Sequence, residues 1–197
     1  MDNLTAGTLF FAAIFTNNIL LTNFLGLCPF LAISRDPKSA LGLGAAVVFV
    51  MTCTTALNHL VYYRVLIPLD LVHLRYIIFI VIIAAFVQLV EMIIERFFSP
   101  LYYVLGVFLP LITVNCAILG ASLFMIIRGY GLLQAAAYGA GSGLGWMLAI
   151  VAVGAIRDKV QKSANLPKGL EGPAITLIIT GLMSLGFMAF SGMIRIQ

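Results

Sequence analysis

Six apolar runs dominate this chain, over residues 9–33, 40–60, 76–94, 101–127, 132–156 and 173–194, and Glu91 is the only Asp, Glu, Lys or Arg inside any of them. Each is close to the roughly 20 residues a helix needs to cross a hydrocarbon core. The chain is 62% hydrophobic and 9% charged, against about 25% charged in soluble domains. A water-soluble fold of 197 residues could not hide that much apolar surface. The expectation is an all-α integral membrane protein with six spans in a single domain, 1–197. Spanning segments must be helical, because an open sheet leaves backbone groups unpaired in hydrocarbon. The runs are continuous, without the alternation of a membrane β-barrel.

No Lys or Arg precedes the first run, so the basic start of a cleavable signal peptide is missing and that run is expected to be retained. Arg35, Lys38, Arg96, Arg157, Lys159, Lys162 and Lys168 follow runs one, three and five. Arg64, Arg75, Arg128 and Arg195 lie on the other side. The larger basic group is expected in the cytoplasm, with both termini outside. The net charge of +4 is spread over these loops, so nucleic acid is not an expected partner.

Two stretches break the apolar pattern, Asn23-Phe24-Leu25-Gly26-Leu27-Cys28-Pro29-Phe30 and Leu109-Pro110-Leu111-Ile112-Thr113-Val114-Asn115-Cys116-Ala117-Ile118-Leu119-Gly120. Helices one and four are expected to break near Cys28 and Cys116, with Pro29 and Pro110 each removing a backbone donor. Irregular backbone at membrane depth survives only inside protein or along a cavity. Six spans with two such sites suggest a 3+3 inverted repeat, with halves of about 1–98 and 99–197. At about 1.5 Å per residue, Cys28 lies about 10 Å from the edge marked by Arg35. Cys116 lies about 18 Å from Arg128, which is about 12 Å from the Arg35 side of a core about 30 Å thick. The two thiols fit one level.

Two thiolates at one depth can ligate a soft metal or form half of a [2Fe–2S] site, which takes four ligands. Only Cys53 remains, in a context that suits helix packing, so a cluster needs a partner chain or a symmetric copy of this one. The alternative is that buried Cys acts as a small hydrophobe. Glu91 and Glu95 share a helix face. They could receive a cation, or Glu91 could pair with Arg96 at the interface. His59 and His73 read as interfacial, and Asp36, Asp70, Asp158 and Glu171 as solvated loop residues. The run Gly139, Gly141, Gly143 and Gly145 lacks the βαβ context of a dinucleotide site, while Gly141 and Gly145 fit close helix packing.

The chain resembles the six-span membrane protein shared by two respiratory machines. In the Rnf complex it is the A-type component, and in the sodium-translocating NADH:quinone oxidoreductase (Nqr) it is the E-type component. The resemblance covers nearly the whole length. It is carried by 23–30, 106–120, 181–192 and Gln88-Leu89-Val90-Glu91-Met92. Gly26–Phe30 and 67–75 look more like Rnf, and 145–151 more like Nqr, with the balance toward Rnf. The resemblance implies an ion-translocating, ferredoxin:NAD-type oxidoreductase subunit in the bacterial inner membrane. It would relay electrons through an intramembrane [2Fe–2S] cluster and couple this to Na⁺ or H⁺ transport. Cys28 and Cys116 would be the iron ligands, with Asn23, Gly26, Pro29 and Asn115 around them and Glu91 on a cation pathway. A homologous six-span chain, of the Rnf E or Nqr D type, would complete the cluster beside flavin- and iron–sulfur-bearing subunits. The rivals are a secondary transporter with inverted repeats and a purely structural assembly component.

Overall fold

The computed structural model describes residues 6–33, 37–97, 109–163 and 173–189. Among these there is no strand. The chain forms α1 (Ala6–Ile14), an irregular stretch over 15–26, and α2 (Leu27–Ile33). Next come α3 (Pro37–Val61), a π turn (Tyr62–Leu66), a 3-10 turn (Val72–Leu74) and α4 (Arg75–Phe97). The remaining helices are α5 (Leu109–Thr113), α6 (Cys116–Ile127), α7 (Leu132–Ser163) and α8 (Pro173–Met188). Among the described residues four stretches are long and apolar enough to cross a membrane: Ala40–Leu66, Val72–Arg96, Pro110–Ile127 and Leu132–Val160. They match runs two to five. Run one holds two short helices, and α8 is a shorter apolar helix. Positions 101–108 and 190–194 of the expected spans, and the loop residues Arg35, Asp36, Lys168, Glu171 and Arg195, lie outside the described residues.

The centre of the bundle is α7, whose main partners are α3 and α1. Its alternating glycines explain why. Gly139 and Gly143 meet α3, where a Cβ on Gly143 would stand 2.8 Å from Val48 Cα. Gly141 and Gly145 meet the other side, where added Cβ atoms would lie 2.6 Å from Phe10 O and 3.0 Å from Ile14 O. One helix thus carries two small-residue stripes, each at a spacing of four residues, and backbones close on both. In lipid, where apolar area gives no net attraction between helices, such close packing is a main source of association. The outward side of α4 is different: Ile77, Ile80, Val81, Leu89 and Met92 are exposed. That suits a helix facing acyl chains or another protein of the same assembly.

The irregular stretch satisfies its backbone through a small set of side chains. Asn18 is fully buried. Its Nδ2 donates to Ile14 O at 3.2 Å and to Gly145 O at 2.7 Å. Its Oδ1 accepts from the N–H groups of Leu20 and Leu21 at 3.1 and 3.4 Å. Ser184 of α8 donates to Leu21 O at 2.6 Å. The Asn17 amide lies beside the Arg128 guanidinium and, turned so that its oxygen faces it, accepts from Nη1 and Nη2 at 3.0 and 2.8 Å. Arg128 also lies over the Phe124 and Tyr138 rings. The stretch therefore runs along α6 from its last turn toward its first, pinned by side chains where water is scarce.

Candidate functional site

The second interruption is short and well capped. Helix stops at Thr113 and restarts at Cys116. Asn115 sits between them with φ −75° and ψ 112°, and its side-chain oxygen accepts from Ala117 N at 3.0 Å. It is the N-cap of α6. Cys116 is then the first residue of a twelve-residue helix, where the partial positive charge of the helix end favours negative charge on its sulfur.

The first interruption delivers a backbone donor to that sulfur. The N–H of Gly26 donates to Cys116 Sγ at 2.9 Å. Gly26 has φ +85°, a conformation open to glycine and costly to other residues. Space demands glycine as well: an added Cβ would lie 2.6 Å from Trp146 Nε1, 3.0 Å from Ala117 Cβ and 3.2 Å from Asn115 Oδ1. Trp146, fully buried on α7, donates through Nε1 to Gly26 O at 3.3 Å. Leu25 packs into the space left by Gly120 on α6, where a Cβ would stand 2.5 Å from Leu25 Cδ1. The stretches carrying the two cysteines thus interlock, with Cys28 two residues beyond the glycine that touches Cys116.

Around this contact the surface is apolar and open. Cys28 is exposed and Cys116 half-buried. Phe24 and Val114 stand 47% and 77% exposed beside them. Phe24 has φ 53°, an uncommon conformation for an aromatic residue and a cost held in place by its surroundings. Asn115 is buried, and its Nδ2 has no hydrogen-bond partner among the described residues. Among those residues no three His, Cys, Asp or Glu side chains gather as a complete metal cage. What the chain offers a [2Fe–2S] group is two thiols, an N–H on one sulfur, a spare buried donor and an open apolar face. The chemistry of that donor set fits half of such a site.

The other expected residues fall as follows. Asn23 is exposed and donates to Thr22 Oγ1 at 3.3 Å, away from the sulfur contact. Pro29 lies in the first turn of α2, where its missing N–H costs little. The irregular backbone precedes it, so the interruption is held by Gly26 and Asn18 and does not stem from the proline. Glu91 is half-exposed on α4, and among the described residues no ion pair to Arg96 forms. A groove of about 500 Å³ between α3 and α4 runs past Val87, Val90 and Ile94, and all its lining side chains are apolar. Cys53 is half-buried in α3. His59 meets Tyr130 O at 3.0 Å, and His73 is exposed. Trp146, Asn18 and Arg128 are structural members of the site region that no sequence motif assigned to a site; Trp146 entered only within the Nqr-like stretch 145–151 and Arg128 only as a loop charge. The signal available was a lone tryptophan in a glycine-rich span and an Asn pair inside an apolar run.

The described chain is a helical bundle with stretches long and apolar enough to cross a membrane and two interlocked helix interruptions, each leading into a cysteine. The chain belongs to the Rnf-Nqr family, whose description, "Rnf-Nqr subunit, membrane protein", matches residues 6–194. It is similar to the E-type component of the Na(+)-translocating NADH-quinone reductase of Serratia proteamaculans (strain 568), 52% identical over 191 residues. That match covers 94% of this chain and 96% of the relative. The likeness favours the Nqr-type alternative over the Rnf-type assignment to which 26–30 and 67–75 pointed.

Proposed function

We propose that this chain is the E-type membrane component of a sodium-translocating NADH:quinone oxidoreductase in a bacterial cytoplasmic membrane. The observation that carries this is the 52% identity, over almost the full length of both chains, to a relative so named. The finer reading is a single domain, 1–197, of six spans in a 3+3 inverted repeat, with halves of about 1–98 and 99–197 and both termini outside. It is supported by the shared plan of the two interruptions, each placing its cysteine in the first turn of the helix that follows.

Within that role, Cys28 and Cys116 hold half of a [2Fe–2S] centre, and a homologous D-type six-span chain supplies the other two ligands. Flavin- and iron–sulfur-bearing subunits of the same complex stand on either side in the electron path. Bound there, the centre supplies one-electron transfer at membrane depth. This chain's own part is to set the charge balance around it. The Gly26 N–H points at the Cys116 sulfur, Asn115 Nδ2 is free to meet a second acceptor, and the start of α6 adds its dipole. Each favours the added negative charge of reduction without reorganising at the moment of transfer. The exposed face of Phe24, Cys28 and Val114 is where the partner seats and water is excluded.

Cells lacking this chain should lose sodium-dependent, NADH-driven quinone reduction in their membranes. Loss of ferredoxin-linked NAD reduction with quinone reduction intact would move the chain to the Rnf type. Glu91, an ionisable group on a spanning helix, is assigned to cation uptake. Glu91→Gln should raise the Na⁺ concentration for half-maximal rate several-fold, and an unchanged sodium dependence would remove it from the pathway.

A further inference from the structure

We propose that Trp146 is a positioning residue that aims the Gly26 N–H at the Cys116 sulfur and thereby raises the reduction potential of the centre held there. The proposal rests on the [2Fe–2S] reading above. Trp146 is the chain's single tryptophan and is fully buried, yet it is about four turns into a helix whose neighbouring glycines only close packing requires. Its indole N–H donates to Gly26 O at 3.3 Å, while the N–H of the same glycine donates to Cys116 Sγ at 2.9 Å. One residue is therefore held on both of its peptide planes, by a tryptophan on one side and a cysteine on the other.

Among the described residues Gly26 has no other hydrogen-bonding anchor on either plane. With φ +85° and no side chain, its conformation is soft. Asn115 Oδ1 and Ala117 Cβ bound the space on the α6 side, and the indole bounds the rest. The adjacent residue of α7, Gly145, accepts from Asn18. A single step of α7 thus ties down the irregular stretch near its start and at its end. A rigid, oriented N–H at a sulfur lowers the energy of the reduced centre, because reduction adds negative charge there; hydrogen bonds to the sulfurs are one of the levers that set cluster potentials. A loosely held Gly26 would share that donor among orientations and lose part of the effect.

The test uses the whole purified complex with Trp146→Phe, which keeps a ring and removes the N–H. The readouts are the EPR signal of the reduced centre and its midpoint in a redox titration. The expected result is a signal of ordinary intensity with a midpoint shifted to more negative potential. At the wild-type midpoint the reduced-to-oxidised ratio should fall roughly threefold or more, the scale of one weakened hydrogen bond. Trp146→His, which retains a ring N–H, should recover part of the shift. An unchanged midpoint in Trp146→Phe overturns the proposal. Should Phe prevent assembly, Trp146→Leu, which also lacks the N–H, takes its place, and there a wild-type midpoint overturns the proposal and a negative shift supports it. Failure of both variants to assemble makes Trp146 a packing residue and also overturns it. A wild-type complex whose EPR signals all survive Cys28→Ala and Cys116→Ala defeats the underlying cluster reading instead, so the two failures are told apart.

Discussion

Alanine at Cys116 should leave a complex that assembles but passes electrons to quinone roughly 100-fold more slowly or worse, and alanine at Cys28 should do the same. Outer contacts to a metal site are typically worth about 10–100-fold in affinity or activity, and removing a ligand outright should reach at least the upper end. Neither thiol is part of the tight packing. Cys28 is exposed and Cys116 half-buried, so truncation opens no large cavity in the bundle. The Gly26 N–H loses its sulfur acceptor in Cys116→Ala, a modest penalty of about 1 kcal/mol beside an open face. Steady-state NADH:quinone activity of the purified complex checks the result, with the protein composition checked on the same sample. Normal turnover in either variant, in an intact complex, would mean that the thiols serve as packing groups.

Gly26→Ala should be severely damaging, because among the described glycines Gly26 alone combines a crowded Cβ position with a positive φ. The new methyl would stand 2.6 Å from Trp146 Nε1 and 3.0 Å from Ala117 Cβ, closer than carbon and nitrogen pack. It must also adopt φ +85°. Overpacking and left-handed strain together cost about 2–5 kcal/mol. The cheapest relief pushes the stretch off α6, withdrawing its N–H from Cys116. Lower yield of the chain in membranes and a lower melting temperature of the detergent-solubilised complex are expected together. Gly181→Ala is the matched control. Among the described residues nothing lies within 4 Å of the position its Cβ would take, and in mid-helix alanine is preferred to glycine by up to about 1 kcal/mol, so stability should hold or rise slightly. Equal damage from the two substitutions would show that crowding at Gly26 is not what matters.

Runs two, three and five could be read as continuous helices from hydropathy alone, because each is apolar throughout, free of proline and, Glu91 apart, free of charge. The glycines of 139–145 were legible as packing for the same reason: their spacing places them on helix faces, and nothing nearby suits a nucleotide. Run one was readable as apolar but not as two short helices around an irregular stretch, since hydropathy registers composition and is blind to backbone continuity. Proline drew attention to the interruption and misplaced its cause. Pro29 sits where a helix tolerates it, while the interruption is held by Asn18, Leu21 and Gly26 through their distant partners Gly145, Ser184 and Trp146. Those contacts span from 120 to 163 positions along the chain, beyond the reach of any local pattern. Asn115 shows the opposite case. An Asn immediately before an apolar helical run is an N-cap by local chemistry, and that is its place. Asn23 stands five positions before Cys28 in the other interruption, yet it faces outward, because only the fold decides which side of an irregular turn is inside.

The measurement closest to the heart of this reading is EPR, with iron and acid-labile sulfide analysis, of the reduced complex carrying Cys28→Ser or Cys116→Ser. The expected result is that each variant, fully assembled, loses the same one [2Fe–2S] signal and about two iron atoms per complex, the content of one such centre. Wild-type iron content and an undiminished set of signals in both variants would contradict it.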